Sequence, residues 1–125
     1  MSAFCTQLTT LTPQQVEAGI TFTEACEILR KEYQSRDRVW ASFGDYDRTM
    51  FQKQCEATGM PYPFGPRHLN VKTLFALARG LPHEVGMGEA LSLMGVSLEG
   101  THHRGDDDAW NIAGILAEVV KKLRV

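Results

Sequence analysis

Three consecutive aspartates, Asp106 to Asp108, open the longest amphipathic stretch of the sequence. Counting along a helix from Asp108 in steps of 4, 8, 11 and 15 reaches four apolar positions: Ile112, Leu116, Val119 and Leu123. This spacing predicts that the Asp108 carboxylate points toward the core, where it must be paired, hydrogen-bonded or metal-bound. Asp106 and Asp107 are interpreted as residues of a helix amino terminus, where the helix dipole favours carboxylates.

A second carboxylate, Asp47, follows a short apolar segment, 39–43, that is typical of a buried strand. On the helix predicted over 45–58, Asp47 aligns with three less polar positions: Met50, Phe51 and Cys55. Asp45 is interpreted as the N-cap of that helix. Asp47 and Asp108 are thus both predicted to point inward without an obvious basic partner, which suggests a hard divalent cation, Mg²⁺ or Mn²⁺.

His103 lies five residues before Asp108, on the loop that leads into the last helix. An imidazole there could act as a general base, because its ordinary pKa lies near neutral pH. The alternative is that His103 is incidental, as a lone histidine in a loop usually is. The other histidines, His68, His83 and His102, are interpreted as structural or exposed.

The elements that must position these groups follow from capping signals and apolar periodicity. Helices are predicted over 13–19, 22–34, 45–58, 72–79, 88–94 and 105–123, and strands over 39–43 and 68–71, with a proline-rich loop at 59–66. Strands that alternate with helices predict an α/β protein. A small basic group at the end of the 22–34 helix, Lys31, Arg36 and Arg38, is interpreted as a solvated surface.

The composition predicts one folded domain over residues 1–125. Hydrophobic residues make up 43% of the chain and charged residues 22%, which excludes a disordered or fibrous protein. The net charge of −2 excludes nucleic-acid binding through a global basic field. The three cysteines form no zinc pattern, and no apolar run is long enough for a membrane span, so we expect a cytoplasmic protein with no membrane partner.

The stretch GTHHRGDDDAWNIAGI, residues 100–115, resembles the third motif of the DEDDh 3′-to-5′ exonucleases. These enzymes form the DnaQ-like family, which has a ribonuclease H-like fold, and the chain is most similar to its sporulation-inhibitor-like branch. In that motif a histidine precedes the last metal-binding aspartate by five residues and an asparagine follows it by three, positions that His103, Asp108 and Asn111 occupy here. The segment FGDYD, residues 43–47, resembles the second motif, with Asp47 as its metal ligand.

The resemblance implies a metal-dependent 3′-to-5′ exonuclease that hydrolyses RNA or single-stranded DNA ends with Mg²⁺ or Mn²⁺. It implies that Asp47 and Asp108 bind metal and that His103 is the catalytic base. The first family motif, Asp-x-Glu, is absent, because no aspartate in the chain has a glutamate two residues later. We therefore expect an amino-terminally incomplete α/β domain that lacks the first three strands, binds a single metal weakly and has little activity alone.

Two alternatives remain open at this point. The chain could be a non-catalytic nucleic-acid-binding or protein-interaction module on the exonuclease fold. Asp106 to Asp108 could also serve only to cap their helix. In the truncated form, apolar helix faces patterned for a larger core would favour self-association.

Overall fold

The computed structural model describes residues 13–100 and 105–124, and within them the chain forms six helices and two strands. The elements are α1 (Pro13–Ala18), α2 (Phe22–Glu32), β1 (Trp40–Ser42), α3 (Tyr46–Thr58), β2 (His68–Asn70), α4 (Val71–Arg79), α5 (Met87–Leu93) and α6 (Gly105–Leu123). Each lies within two residues of its predicted bounds at either end. None of these helices combines the length and the apolarity that crossing a bilayer requires.

The two strands pair in parallel, with Trp40 opposite His68 and Ser42 opposite Asn70. Parallel neighbours require a crossover connection, and α3 with the loop that follows it provides one. Helix α3 ends at Gly59, whose φ of 70° gives the left-handed C-terminal turn that glycine adopts without a steric penalty. The observed sheet is therefore a short β-α-β unit, and a ribonuclease H-like fold stays a prediction.

Contacts group the described residues into two compact units, one of residues 20–70 and one of residues 13–19, 71–100 and 105–124. A single domain requires these two units to pack together, and that packing stays a prediction. In the 20–70 unit, Trp40 stacks on Phe64 with ring centroids 4.0 Å apart and meets Phe51 edge-on at 6.4 Å. Cys26 of α2 and Cys55 of α3 are also buried in this unit.

In the other unit, α4 and α5 pack against α6. The covered stripe of α6 consists of Asn111, Ile115 and Val119, which are 4%, 0% and 3% exposed. The sequence prediction of a stripe that ends at Leu123 was wrong, since Leu123 is 68% exposed. Residues of α4 and α5 instead cover the adjacent face of α6. This face includes the polar residue Asn111, which a count of apolar positions leaves out.

Two loops of the 20–70 unit are held against each other by hydrogen bonds from side chains to main-chain carbonyls. The Ser35 hydroxyl donates a hydrogen bond to the Pro63 carbonyl, and Arg67 Nη2 donates to the Asp37 carbonyl at 2.9 Å. Between these bonds, the main chain of Gly65 lies so close to the Arg36 carbonyl that a side chain at Gly65 would overlap it. Glycine is therefore required at position 65 by close approach of two backbones.

We expect Gly65→Ala to lower the free energy of unfolding by about 1–3 kcal/mol, because the new methyl group meets backbone that cannot rotate away. Urea denaturation followed by circular dichroism measures this change. Gly114→Ala is the matched control, since its site on α6 is open and a helical alanine is favoured over glycine. A Gly65→Ala variant as stable as the wild type would contradict the contact.

Candidate functional site

The carboxyl ends of β1 and β2 lie side by side, since Ser42 and Asn70 are paired in register. Gly44, with a φ of 96°, turns the chain after β1, and its N–H donates a hydrogen bond of 3.1 Å to Asn70 Oδ1. This bond ties the β1–α3 loop to the end of β2 and so fixes where α3 begins. Asp47 lies in the first turn of α3, next to this edge of the sheet.

The Asp47 side chain is exposed, so the prediction that it points into the core was wrong. The covered face of α3 contains Cys55, which is buried, with Phe51 and Arg48 half-buried, whereas Met50 is 41% exposed. Asp47 lies at the margin of that face, in a first turn that no preceding turn covers. Among the described residues Asp47 forms no ion pair, and its carboxylate is accessible to an ion or a ligand.

Asp45 occupies the predicted N-cap of α3 but makes no capping hydrogen bond with its side chain. Its Oδ1 lies 3.2 Å from Arg48 Nη2, one helical turn along. The side chains of Arg48 and Asp45 are 41% and 55% exposed, so solvent screens the pair and it contributes less than about 1 kcal/mol. The two carboxylates at the start of α3 thus differ, because Asp45 has a cationic partner and Asp47 does not.

His68 is packed inside the sheet edge, with its side chain 3% exposed and its ring 4.5 Å from that of Trp40. Its Nε2 lies 2.7 Å from Ser42 Oγ, and the Ser42 hydroxyl donates to the Gly44 carbonyl at 2.9 Å. A neutral imidazole protonated on Nε2 satisfies both bonds at once. His68 and Ser42 therefore hold the β1–α3 loop in place through the Gly44 carbonyl.

This network includes the residue types of a hydrolytic triad, but its geometry excludes that role. Ser42 is only 4% exposed and its proton is committed to a carbonyl, so no substrate can reach the oxygen. Asp45 Oδ1 lies 4.0 Å from His68 Nδ1, beyond hydrogen-bond distance. The arrangement is structural, in agreement with the sequence interpretation of His68.

Burial lowers the pKa of His68 below its ordinary value; the Arg48 guanidinium lowers it further, and Asp45 and Asp47 oppose this effect. The unfolded chain then binds a proton below about pH 6.5 while the folded chain still resists it. We expect the free energy of unfolding to fall as the pH drops from 7 toward 5, until folded His68 is also protonated.

Urea titrations at several pH values in EDTA measure this dependence. The His68→Gln variant should lose less stability on acidification than the wild type, because it carries no group with a lowered pKa at this position. His83→Gln, an exposed histidine, is the control and should follow the wild type. Parallel pH profiles for the wild type and His68→Gln would contradict the assignment.

Asp108 lies in the first turn of α6, three residues before Asn111, and is half-buried. It thus continues the covered stripe of the helix, at the end where the stripe opens to solvent. Asp106 is exposed, and Asp107 packs against Gly100, whose Cβ, if present, would lie 2.6 Å from Asp107 Oδ2. Asp106 is thus more exposed than the other two aspartates, whereas Asp107 and Asp108 are both half-buried.

Asn111 makes three hydrogen bonds, two of which connect α6 to the segment before it. Its Oδ1 accepts from the Glu99 N–H at 3.1 Å, and its Nδ2 donates to the Glu99 carbonyl at 2.8 Å and the Asp107 carbonyl at 2.9 Å. A buried side-chain amide lowers the stability of the fold when its donors and acceptor sites are left unpaired. These three bonds pair most of them. Asn111 thereby fixes the main chain at Glu99, four residues before His103.

The predicted base, His103, lies outside the described residues. Asp47 belongs to the 20–70 unit and Asp108 to the other, and their approach to a common metal stays a prediction. Within residues 13–100 and 105–124, no three histidine, cysteine or acidic side chains form a metal-binding cluster. The candidate ligands Asp47 and Asp108 carry carboxylate oxygens, which are the type of donor that suits Mg²⁺ or Mn²⁺. The described residues do not assemble a coordination sphere around them.

Sequence reasoning overlooked Asn70 and Ser42, which hold the loop before Asp47, and it assigned Asn111 a motif position without a role. The available signal for Asn111 was a polar residue between apolar ones on the last helix. For Asn70 and Ser42, the signal was a polar residue at the end of each predicted strand.

The site is thus described by its own geometry and by the two motif resemblances. No family model, curated protein or solved structure matches the chain.

Proposed function

We propose that this chain is part of a metal-dependent 3′-to-5′ exonuclease that acts on RNA or single-stranded DNA ends. The observation that carries the proposal is the presentation of Asp47 at the carboxyl ends of two parallel strands, by a loop that Asn70 ties in place. Ligand and catalytic groups of α/β proteins commonly lie at that edge. The Gly100–Ile115 motif supports the same function independently, through the spacing of His103, Asp108 and Asn111.

Asp47 and Asp108 would hold the cation through their carboxylate oxygens, and the accessibility of Asp47 suits this role. A bound Mg²⁺ or Mn²⁺ would supply Lewis-acid stabilisation of the charge that develops on the phosphate. His103 would accept a proton from the attacking water. The water oxygen bonds to phosphorus as the bond from phosphorus to the 3′ oxygen breaks, which releases a nucleoside 5′-monophosphate and leaves a new 3′ hydroxyl.

The second candidate function is a non-catalytic nucleic-acid-binding or protein-interaction module. The lack of an Asp-x-Glu pair in the sequence favours it, because two of the four acidic ligands of the family are then missing. The two candidates differ in one respect that can be measured, since only the first shortens a nucleic-acid strand. For either function we propose a cytoplasmic location, with which the reduced Cys26 and Cys55 agree.

A nuclease assay tests the proposal directly. Single-stranded RNA and DNA labelled at the 5′ end are incubated with the protein and Mn²⁺ or Mg²⁺, and the products are resolved by length. The assay includes the 125-residue chain and a form extended by any in-frame upstream coding sequence. We expect stepwise shortening from the 3′ end that EDTA abolishes. Binding of the strand without any shortening by either form would favour the second candidate.

A further inference from the structure

A cleft of about 540 Å³ lies in the 20–70 unit, between the end of α2 and the loop that precedes β2. It is lined by Arg30, Gln34, Arg36, Asp37, Phe64 and Gly65, among others. The sequence analysis interpreted the basic residues near the end of α2 as a solvated surface. The structure instead places two arginines of this segment on the walls of one cavity.

The residues that line this cleft carry more positive than negative charge, with two arginines and one aspartate. Among the described residues, neither Arg30 nor Arg36 forms an ion pair, and Arg30 is half-buried. Asp37 is the one carboxylate among the residues that line the cleft, and the Arg67 guanidinium, bonded to the Asp37 carbonyl, adds a further cation nearby. Two arginines that line one cavity with a single carboxylate among its lining residues favour an anion there, and the planar donors of a guanidinium group match phosphate oxygens.

The walls of the cleft are held in place before any ligand binds. Gln34 has a φ of 52°, a left-handed conformation that non-glycine residues rarely adopt, and it stands on the rim. The Ser35 bond to Pro63 and the close approach of Gly65 to Arg36 join the two walls. A ligand would therefore meet donors whose backbone is already ordered, which reduces the entropic cost of binding.

One wall of the cleft is aromatic. Phe64 is one of the residues that line the cavity, and its ring stacks on Trp40 with the two planes 10° apart, which fixes the orientation of the ring. Rings fixed in this way act as stacking platforms for nucleobases in proteins that bind single strands. The cleft thus combines cationic donors with an aromatic surface, as a nucleotide requires.

We propose that the Arg30–Arg36 cleft binds a phosphate group of a single-stranded nucleic acid, with an adjacent base or sugar against Phe64. The identity of the ligand as a strand rests on the proposed function, whereas the contact between phosphate and the two arginines does not. A free nucleotide offers the same chemistry, and the experiment distinguishes the two sources.

The test measures binding by the full chain at low salt in EDTA, so that no divalent cation contributes. The probes are a fluorescein-labelled ten-residue oligothymidylate, adenosine monophosphate and inorganic phosphate. We expect Arg30→Gln and Arg36→Gln each to weaken oligonucleotide binding about tenfold, since each removes a charge-assisted contact. Each should also reduce the slope of log affinity against log salt by about 0.7, the value for one phosphate on a single strand.

Lys31→Gln is the matched control, because it removes the same charge from the neighbouring residue of α2, which does not line the cleft. It should weaken binding less than twofold, and thermal melting should confirm that all three variants fold. Adenosine monophosphate bound as tightly as the oligonucleotide, with the same arginine dependence, would support the phosphate site and assign a free nucleotide as its ligand.

Equal losses from Lys31→Gln and the two arginine variants, or no loss from any of them, would overturn the proposal. Because the assay contains EDTA, its outcome is independent of catalysis. A protein that is inactive but binds the strand through Arg30 and Arg36 would contradict the exonuclease proposal and support the proposed phosphate site in the cleft. An active nuclease whose binding ignores both arginines would do the reverse.

Discussion

Asp108→Asn and His103→Ala are each expected to slow release of mononucleotides from the 3′ end by about 10²- to 10⁴-fold, the range typical for loss of a general base. Asparagine keeps the shape of Asp108 but removes the charge that would hold a cation, and alanine removes the group that would take the proton from water. The measurement is the initial rate on single-stranded RNA and DNA with Mn²⁺, using whichever form of the protein is active.

Asp106→Asn is the control for this prediction. Its side chain is exposed in the same first turn of α6, two residues from Asp108, and it should retain activity within about twofold because its proposed role is helix capping alone. Equal losses from Asp106→Asn and Asp108→Asn would show that the cluster acts only through its total charge. Activity that persists in His103→Ala would remove that histidine as the base.

Replacing the buried amide of Asn111 should have a large effect on stability for a polar residue of α6. We expect Asn111→Ala to lower the free energy of unfolding by about 1–3 kcal/mol, because it removes three hydrogen bonds, all of them part-buried, and leaves the Glu99 N–H without this partner. Asn111→Asp should cost at least as much, since a carboxylate cannot donate to the Glu99 and Asp107 carbonyls. Urea denaturation at pH 7 measures both.

Glu118→Ala is the matched control on the same helix. Glu118 pairs with Lys121 at 3.6 Å on the surface, and its loss should change stability by less than about 0.5 kcal/mol. We also expect Asn111→Ala to reduce nuclease activity more than its stability loss explains, because Asn111 fixes the chain four residues before His103. Wild-type stability of Asn111→Ala would contradict the role assigned to this amide.

Local signals in the sequence were sufficient to locate the helices. Thr21 caps α2 by accepting a hydrogen bond of 3.1 Å from the Glu24 N–H, and a threonine followed three residues later by a glutamate is a local signal of a helix start. Gly59 ends α3 in the left-handed conformation. Caps and end residues act within one helical turn, so their effect is legible in a short stretch of sequence.

The faces of the helices were harder to predict because they depend on what packs against them. Ile112 and Leu116 form an apolar stripe next to the one that α4 and α5 cover, and only the bonds to Glu99 make a buried Asn111 favourable. The prediction of the Asp47 orientation was wrong for a related reason, since few strongly apolar residues define the covered face of α3.

The Arg30–Arg36 cleft could not be predicted from local patterns at all. Its walls are joined by Ser35 and Pro63, which are 28 residues apart, and by Arg67 and Asp37, which are 30 apart. Neither pair has a periodic or motif signature. Such contacts emerge only when the β-α-β unit brings the two loops together.

The central claim, that Asp47 and Asp108 hold one cation, is tested most directly by a Mn²⁺ titration of the chain followed by electron paramagnetic resonance. The wild type, Asp47→Asn, Asp108→Asn, the double variant and Asp106→Asn are compared at one protein concentration. If both carboxylates bind the same ion, either single substitution should weaken binding nearly as much as the double one, while Asp106→Asn leaves it unchanged. Losses from Asp47→Asn and Asp108→Asn that simply add, or wild-type binding in either, would contradict a shared site.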